Sequence, residues 1–423
     1  MDSREQVRSL SRRGVLATGA AGGVAIAATA AGAASLGNPD QPPQGAVNIG
    51  DPRTLATPGP HDDTLSRTVP SFLTPPPTDV GSSPQFWASF NLAPRRIQAG
   101  GWGRQVTQSD FAISTEISGV NMRLAAGGVR ELHWHQQAEW AIMTYGRCRI
   151  TVLDALGRPA VADVAEGDLW YFPPGLPHSL QGLGPDGAEF VLAFDNGVSS
   201  EFNTLPATDW LAHTPPDILA KNFGVPAEAF ANIPLHNRWI FQGEVPGPLA
   251  EAQAAAAAGA GSPEFPFVYS LAGAVPDRSA AGGQVQIADS SNFHIARTIA
   301  AGLVTVKPGA IRTMHWHPNA DEWQYYLKGS GRMTAFNAGP SAVTADFHPG
   351  DIGYVKKGLG HYVQNTGSDD LVFGAVFRAE RYQEVSLADW LAHTPPEMVA
   401  ATFNLDPATV AKFPKDRPAF MPA

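Results

Sequence analysis

The chain has 423 residues, enough for two ordinary domains, and combines 43 glycines and 37 prolines with a formal net charge of −10. Lysine and arginine form no dense block, which argues against a nucleic-acid or anionic-membrane partner. The single cysteine, Cys148, excludes an intrachain disulfide and a thiolate metal site, and we expect it to be an inert buried side chain.

The N-terminus has the pattern of an export signal. Arg12 and Arg13 precede a weakly apolar run of alanine and glycine that ends in AGA at 31–33. A transmembrane anchor is the alternative, but the run is short and rich in glycine. We predict a twin-arginine-type signal at 1–34, a periplasmic or secreted protein, and no membrane attachment after cleavage. The proline-rich residues 35–83 are predicted to form an extended arm without its own core.

The remainder of the chain is a tandem duplication. The triplet HWH at 133–135 recurs at 315–317, and DWLAHTPP at 209–216 recurs unchanged at 389–396. An eight-residue identity at matching places indicates one domain of about 180 residues present twice. We place the first domain at 84–235 and the second at 236–423.

Each copy is predicted to be all-β and to end in a short helical segment. Runs of alternating apolar and polar residues, such as CRITVLDA, are separated by glycine, proline and aspartate. In TPPDILAKNFG the pattern changes, with Thr214 expected to cap a helix, Pro215 to begin it and Gly224 to end it. His213 and His393 are expected to cap or pack these helices. The predicted fold is two tandem barrels or jelly rolls.

Both copies contain a set of metal-ligating side chains. His133 and His135 share one strand face, we place Glu139 there by its parity, and His178 follows on a later strand. Three imidazoles and a carboxylate favour Mn, Fe, Ni or Zn over Ca or Cu(I), and they leave two positions open on a six-coordinate ion. Satisfied core histidines are the alternative, but two complete sets favour metal binding. The second set is His315, His317, Glu322 and His361.

These residues lie in motifs that resemble those of the cupin superfamily. GGVRELHWHQQAEWAIMTYG and GDLWYFPPGLPHSLQG are similar to the two cupin motifs, with Gly182 in place of an asparagine. The second copy fits as GAIRTMHWHPNADEWQYYLKG and GDIGYVKKGLGHYVQN, with Lys356 in place of a proline. From about Thr68 to the C-terminus the chain resembles the bicupin oxalate decarboxylase family. The resemblance implies two double-stranded β-helix domains and two Mn(2+) ions per chain, one in each ligand set.

The resemblance also implies the activity, manganese-dependent decarboxylation of oxalate to formate and carbon dioxide with dioxygen as co-catalyst. Arg130 matches the family arginine that binds oxalate, and a guanidinium fork suits a carboxylate. The stretch SSEFNT places Glu201 at the family's lid glutamate, which donates a proton, although Phe202 and Asn203 depart from the family pattern. This loop, DNGVSSEFNTLPAT, is three residues longer than its counterpart in copy two.

Copy two is expected to bind metal without much turnover. Arg312 matches Arg130, but copy two lacks the longer loop and has Ala375 where some family members have a glutamate. Glu380 and Glu384 lie nearby without aligning. Two alternatives stay open: an oxalate oxidase or other manganese cupin dioxygenase, and a non-enzymatic storage or sugar-binding bicupin. We also expect a homo-oligomer.

Overall fold

The structure is a computed structural model that describes residues 47, 50–81, 84–257, 259–339, 341–416 and 418–423. The predicted signal at 1–34 lies outside the described residues. Within the described part of the chain, no helix combines the length and the hydropathy needed to cross a bilayer. A 3-10 turn at Pro52–Thr54 precedes the elements described below.

The described part of the arm after Pro52 packs on the second domain. It contains two single-turn helices, α1 (Asp63–Ser66) and α2 (Pro70–Leu73), and strand β1 (Trp87–Ser89) follows it. The Ser71 amide donates to the buried carboxylate of Asp346, and β1 pairs antiparallel with residues Asp351–Gly353 of the second domain. Buried anchors therefore hold residues 53–81 of the arm on the core of the second domain, and strand pairing holds β1 there.

The first domain is one strongly curved antiparallel sheet. Its strands are β2 (Arg96–Gln98), β3 (Gly101–Val106), β4 (Ser118–Leu124), β5 (Gly128–Trp134), β6 (Glu139–Leu153), β7 (Pro159–Ala165), β8 (Leu169–Phe172), β9 (His178–Gly182), β10 (Ala188–Phe194), β11 (Leu205–Pro206), β12 (Ile240–Gln242) and β13 (Val268–Tyr269). The long strand β6 pairs with β10 and β8 at its start and with β7 and β9 at its end, so both walls of the barrel share it.

The second domain repeats the barrel with two separate sheets. Its strands are β14 (Arg278–Ala280), β15 (Gly283–Ala288), β16 (Ala300–Val306), β17 (Ile311–Trp316), β18 (Glu322–Lys328), β19 (Gly331–Asn337), β20 (Ser341–Phe347), β21 (Asp351–Val355), β22 (His361–Asn365), β23 (Leu371–Phe377), β24 (Val385–Ser386) and β25 (Phe420–Met421). The two sheets run β1-β21-β18-β23-β16-β15-β14 and β20-β19-β22-β17-β24, and β25 also pairs with β17. The two tandem barrels that the sequence predicts are thus confirmed.

The strands divide the chain differently from the boundary that we drew at 235/236. β12 pairs with β5, and β13 pairs with β8, so residues up to Tyr269 still belong to sheets of the first domain. At the other end, β1 lies after our boundary at residue 84 yet pairs with the second domain. The two barrels therefore exchange their leading segments. An apolar cluster that includes Trp140 of the first barrel and Trp323 of the second packs the two barrels together.

Helices follow each barrel, as predicted. They are α3 (Ala207–Ala212), α4 (Pro216–Phe223), α5 (Leu249–Ala256), α6 (Leu387–Ala392), α7 (Pro396–Phe403) and α8 (Pro407–Val410). Gly224 ends α4 in the left-handed conformation, but the N-cap is Pro215, and the Thr214 hydroxyl donates instead to the Trp210 carbonyl. Thr214 is therefore not the cap, because the helix begins one residue later than predicted, at Pro216 rather than at Pro215. His213 caps the end of α3 and contacts the Asp209 carbonyl.

Candidate metal centres

The barrel of the first domain brings the four predicted ligands together. His133 and His135 come from β5 and the residue just beyond it, Glu139 begins β6, and His178 begins β9 opposite His133. All four are buried, and their ligand atoms lie within 4.8 Å of one another. Our parity argument holds for the two histidines only. Glu139 reaches the group because a turn at 136–138 starts a new strand.

The second domain builds the same group from matching strands. His315 lies on β17, His317 follows it, Glu322 begins β18, and His361 begins β22. All four residues are buried, and their ligand atoms lie within 4.8 Å of one another. The duplication therefore carries the positions of the ligands as well as the fold.

The hydrogen bonds of the histidines leave one ring nitrogen of each for a metal. In the first centre the Nδ1 atoms of His133, His135 and His178 lie 2.7, 2.6 and 2.8 Å from backbone carbonyls. A carbonyl can only accept, so each Nδ1 carries the proton and Nε2 keeps its lone pair. The Nε2 atoms of His133 and His178 are buried and have no partner among the described residues. Such orphaned acceptors fit a bound cation.

The spacing of the carboxylate points the same way. Glu139 Oε2 lies 3.1 Å from His135 Nε2 and 3.5 Å from His178 Nε2, and Glu322 Oε2 lies 3.3 and 2.8 Å from His317 and His361. Two ligands about 2.1 Å from one ion and at right angles are about 3 Å apart. An anion held against imidazole lone pairs is repulsive unless a proton or a metal lies between them. The residues therefore fit a divalent cation in each barrel.

Neighbouring charges favour the ligating forms of the side chains. Burial, and then the nearby guanidinium of Arg130, lower the pKa of His133 well below its ordinary value, so this imidazole is neutral. Burial and Arg312 do the same for His315. Burial opposes a charge on Glu139, but the adjacent imidazoles of His135 and His178 outweigh it and lower the pKa of Glu139. The first centre thus offers a neutral imidazole at His133 and an ionised carboxylate at Glu139. Burial opposes a charge on His135, but the hydrogen bond to Glu139 outweighs it and raises the pKa of His135, so a metal would bind there in exchange for a proton.

The two centres differ in the group that orients the glutamate. In the first, the indole N–H of Trp170 donates to Glu139 Oε1 at 2.8 Å. In the second, Gly353 occupies the matching position, and the Gln324 amide donates to Glu322 Oε1 at 2.9 Å. A side chain on Gly353 would meet Gln324 at 2.8 Å, so the glycine makes room for this donor. Sequence reasoning missed both donors, because neither residue is itself a ligand.

We expect Trp170→Phe to weaken manganese binding at the first centre by roughly 10- to 100-fold, the usual effect of losing a donor to a metal ligand. The physical reason is that Glu139 loses the hydrogen bond that fixes its carboxylate plane. Equilibrium dialysis followed by metal analysis measures the change. Trp140→Phe is the matched control, since Trp140 is also buried but its indole nitrogen has no partner in the described chain. Equal affinity in both variants would refute this role.

Arg130 and Glu201 meet beside the first metal group. Strict alternation would turn Arg130 away from His133, but a bulge in β5 between them shifts the register, and both side chains are buried. Arg130 Nε donates to Glu201 Oε1, and Nη2 donates to the Thr204 hydroxyl at 2.7 Å. Glu201 Oε2 is buried without a partner among the described residues. The ion pair therefore leaves one carboxylate oxygen available.

Glu201 lies on a short loop beside this centre, at the place of the lid glutamate that the family resemblance implies. Residues Glu201–Asn203 form a 3-10 turn, capped by the Ser200 hydroxyl, which also donates to Gln105 at 2.9 Å. A cavity of about 320 Å³ is lined by this loop and by His135. The longer loop of the first copy thus borders a cavity that reaches one ligand of its metal group.

The second centre has an arginine–glutamate pair that sequence reasoning missed. Arg312 Nη2 donates to Glu384 and lies 3.2 Å from the Tyr382 hydroxyl, while Arg278 binds the other oxygen of Glu384. Glu384 does not align with Glu201, but it reaches the matching arginine from the segment before β24. Glu380 points outward and pairs with Arg297. The signal available was the placement of Glu384 directly before β24, in the segment that replaces the longer loop.

Comparison with known proteins agrees with this geometry. The cupin family model matches residues 90–229 and 270–411. Oxalate decarboxylase OxdC of Bacillus subtilis is 48% identical over 339 residues, which cover 80% of this chain and 87% of that protein. A probable oxalate decarboxylase of Arthroderma benhamiae is 37% identical over 344 residues, covering 81% and 84%.

Solved structures give the same relationship. The Bacillus subtilis oxalate decarboxylase at pH 4.6 superimposes with a TM-score of 0.82 at 43% identity, covering 87% of this chain and 95% of that one. Another structure of the same enzyme, solved in work on its Mn(II) centres, superimposes equally well. Two manganese ions per chain fit the two buried ligand groups. The chain belongs to the bicupin oxalate decarboxylases of the cupin superfamily.

Proposed function

We propose that this protein decarboxylates oxalate to formate and carbon dioxide and that the first metal centre carries most of the turnover. Family membership supports the reaction, since relatives named as oxalate decarboxylases are 48% and 37% identical over most of the chain. The observation that carries the assignment of residues is the buried Arg130–Glu201 pair at the first metal group.

The centre divides the chemistry between the metal and the chain. Bound manganese, with dioxygen as co-catalyst, supplies the one-electron chemistry and the open positions for oxalate. Arg130 supplies a planar fork of donors that matches a carboxylate, and its fixed charge stabilises an anion as negative charge develops. Glu201 would supply the proton that, together with the return of the electron removed from oxalate, turns the remaining one-carbon fragment into formate. The lid excludes water from the cavity while it is closed.

Glu201 is suited to move a proton because of its two oxygens. Oε1 accepts from Arg130, which holds the carboxylate in one orientation, and Oε2 is free of partners among the described residues. A proton carried on Oε2 would be delivered from a fixed position. A surface glutamate would be solvated instead, but this side chain is 1% exposed.

The second centre is proposed to bind manganese with little turnover. Tyr382 and Ala375 line a cavity of about 10 Å³ beside its ligands, which is room for about one water molecule. Glu384 lies between Arg312 and Arg278, so both of its oxygens are engaged. The contrast with the free oxygen of Glu201 supports a division of labour between the domains.

One measurement separates the candidate functions. Manganese-loaded protein is incubated with oxalate in air, and formate and hydrogen peroxide are quantified together. We expect about one formate per oxalate consumed and little peroxide. Mainly peroxide would instead indicate an oxidase, the second candidate function, and no consumption of oxalate would indicate a non-enzymatic storage or binding protein. The Glu139→Ala variant, which lacks a ligand, serves as the inactive control.

The sequence of the N-terminus supports export of the protein. We propose that residues 1–34 direct export, and replacing Arg12 and Arg13 by lysine should then retain the precursor in the cytoplasm.

The repeated tryptophans Trp210 and Trp390 are exposed and pack edge-on against Trp134 and Trp316. Exposed tryptophan is a feature of interfaces. We propose that a second copy covers these faces, and a monomeric sedimentation coefficient would refute this.

A further inference from the structure

Trp239 has an unusual backbone conformation for a large side chain. Its φ of 48° lies in the left-handed region, which bulky residues rarely adopt, and its side chain is buried. Within the described chain, Asn404 also has a positive φ without being glycine, but it caps a helix, a place where asparagine is common. Such strain persists only where the surroundings hold it, and it often marks a functional site.

The contacts of Trp239 join the lid to the arginine beside the metal group. Its indole N–H donates to the Glu201 carbonyl at 3.3 Å, and its ring lies edge-on to that of Phe202 at 5.3 Å. The Arg96 guanidinium lies 4.3 Å from the centre of the indole and 5.4 Å from that of Phe202. On the other side, the Trp239 carbonyl accepts from Arg130 at 3.4 Å.

The first domain makes space for this side chain, and the second domain does not contain it. A Cβ on Gly103 would lie 2.9 Å from the edge of the indole, so the glycine leaves a slot in β3. Strand register matches Trp239 with Ala419, and Gly103 with Val285. Arg278, the match of Arg96, binds Glu384 instead. The arrangement is therefore confined to the domain whose loop covers its centre.

We propose that Trp239 is a positioning residue for the decarboxylation, a latch that holds the Glu201 turn closed over the first centre together with Phe202 and Arg96. The proposal rests on the proposed function. Several contacts that hold Trp239 in its strained conformation are made by the lid itself. Opening the lid removes those contacts and lets the backbone relax, so the closed and open states are balanced and substrate can enter.

The latch also gives a role to Phe202, the lid residue that departs from the family pattern. Its ring contributes an edge-on contact to Trp239 and a face to Arg96. Aromatic and cation–π contacts of this kind add to simple burial. A smaller side chain at Phe202 would loosen the turn that carries Glu201 without touching Arg130 or a metal ligand.

Trp239→Ala, which copies the second domain, and Phe202→Leu test the latch. Amide hydrogen exchange of residues 198–205 should become roughly tenfold faster in both, in manganese-loaded and in metal-free protein. Manganese content should stay unchanged, and peroxide formed per oxalate consumed should rise. Trp239→Phe keeps a ring and should recover part of the protection. Trp102→Phe is the control, since Trp102 also stacks with an arginine, Arg95 at 4.1 Å, but makes no contact with the lid in the described chain.

Two outcomes distinguish a failure of the latch proposal from a failure of the proposed function. Wild-type exchange and product ratio in Phe202→Leu and Trp239→Ala would overturn the latch and leave Trp239 as a core residue. Phe202 is partly exposed, so that variant tests the lid even where Trp239→Ala fails to fold. Formate absent from wild-type protein would instead overturn the proposed function, while the exchange rates would still report on the lid.

Discussion

Replacing Glu201 by alanine is expected to lower formate production by roughly 10²–10⁴-fold, the usual range for a lost general acid or base. Manganese content should not change, because no ligand is altered. Some oxalate should still be oxidised, since Arg130 and the metal group remain, and peroxide per oxalate consumed should rise. Formate and peroxide assays on protein of known metal content measure both effects.

Glu201→Gln tests the acidic proton of Glu201 separately from the shape of its side chain. A glutamine carbonyl can still accept from Arg130 Nε, so the lid keeps its position, and only the charge and the acidic proton are lost. The matched control is Glu384→Gln, which changes the equivalent arginine–glutamate pair of the second domain. We expect the control to keep most of its formate production. Activity of Glu201→Gln within about twofold of wild type, as for most surface substitutions, would transfer the acid role to another residue.

Sequence reasoning predicted the metal groups well because their information is local and repeated. Two histidines at alternate strand positions share a face, and the second copy repeats the set. It erred on Glu139, whose parity with His135 is a coincidence across a turn. Strand periodicity could not place Arg130 beside His133, because only the bulge in β5 brings residues 130 and 133 to the same side. There the resemblance to a family supplied what periodicity could not.

The exchange of segments between domains could not be read from the repeat. A duplication gives the period of a repeating unit but not the residue at which each unit begins. The strands that close each barrel, β12 and β25, match at equivalent positions, so the repeat is intact, yet β1 and β13 cross to the other barrel. Glu384 was missed for a related reason. It reaches Arg312 from a segment that is shorter than the loop of Glu201, whereas sequence reasoning compared it only with the family glutamate at the place of Ala375.

Arg130→Lys is expected to lower kcat/KM for oxalate by roughly 10²–10³-fold, the range for losing a fixed donor to a developing anion. Lysine keeps the positive charge, but one ammonium group cannot replace a fork that contacts Glu201, Thr204 and the Trp239 carbonyl together. The variant therefore loses the paired hydrogen bonds to the substrate carboxylate, and it no longer orients Glu201. Steady-state kinetics at saturating manganese, with the melting temperature recorded, measure the effect.

The second domain supplies the control for this substitution. Arg312→Lys removes an equally buried guanidinium that also binds a glutamate and a backbone carbonyl, so the two variants carry a similar structural cost. If the first centre carries the turnover, Arg312→Lys should retain most of the activity, while Arg130→Lys loses nearly all of it at a comparable melting temperature. Equal losses of kcat/KM would mean that both centres turn over oxalate, and the small cavity beside Tyr382 would then have to open during the reaction.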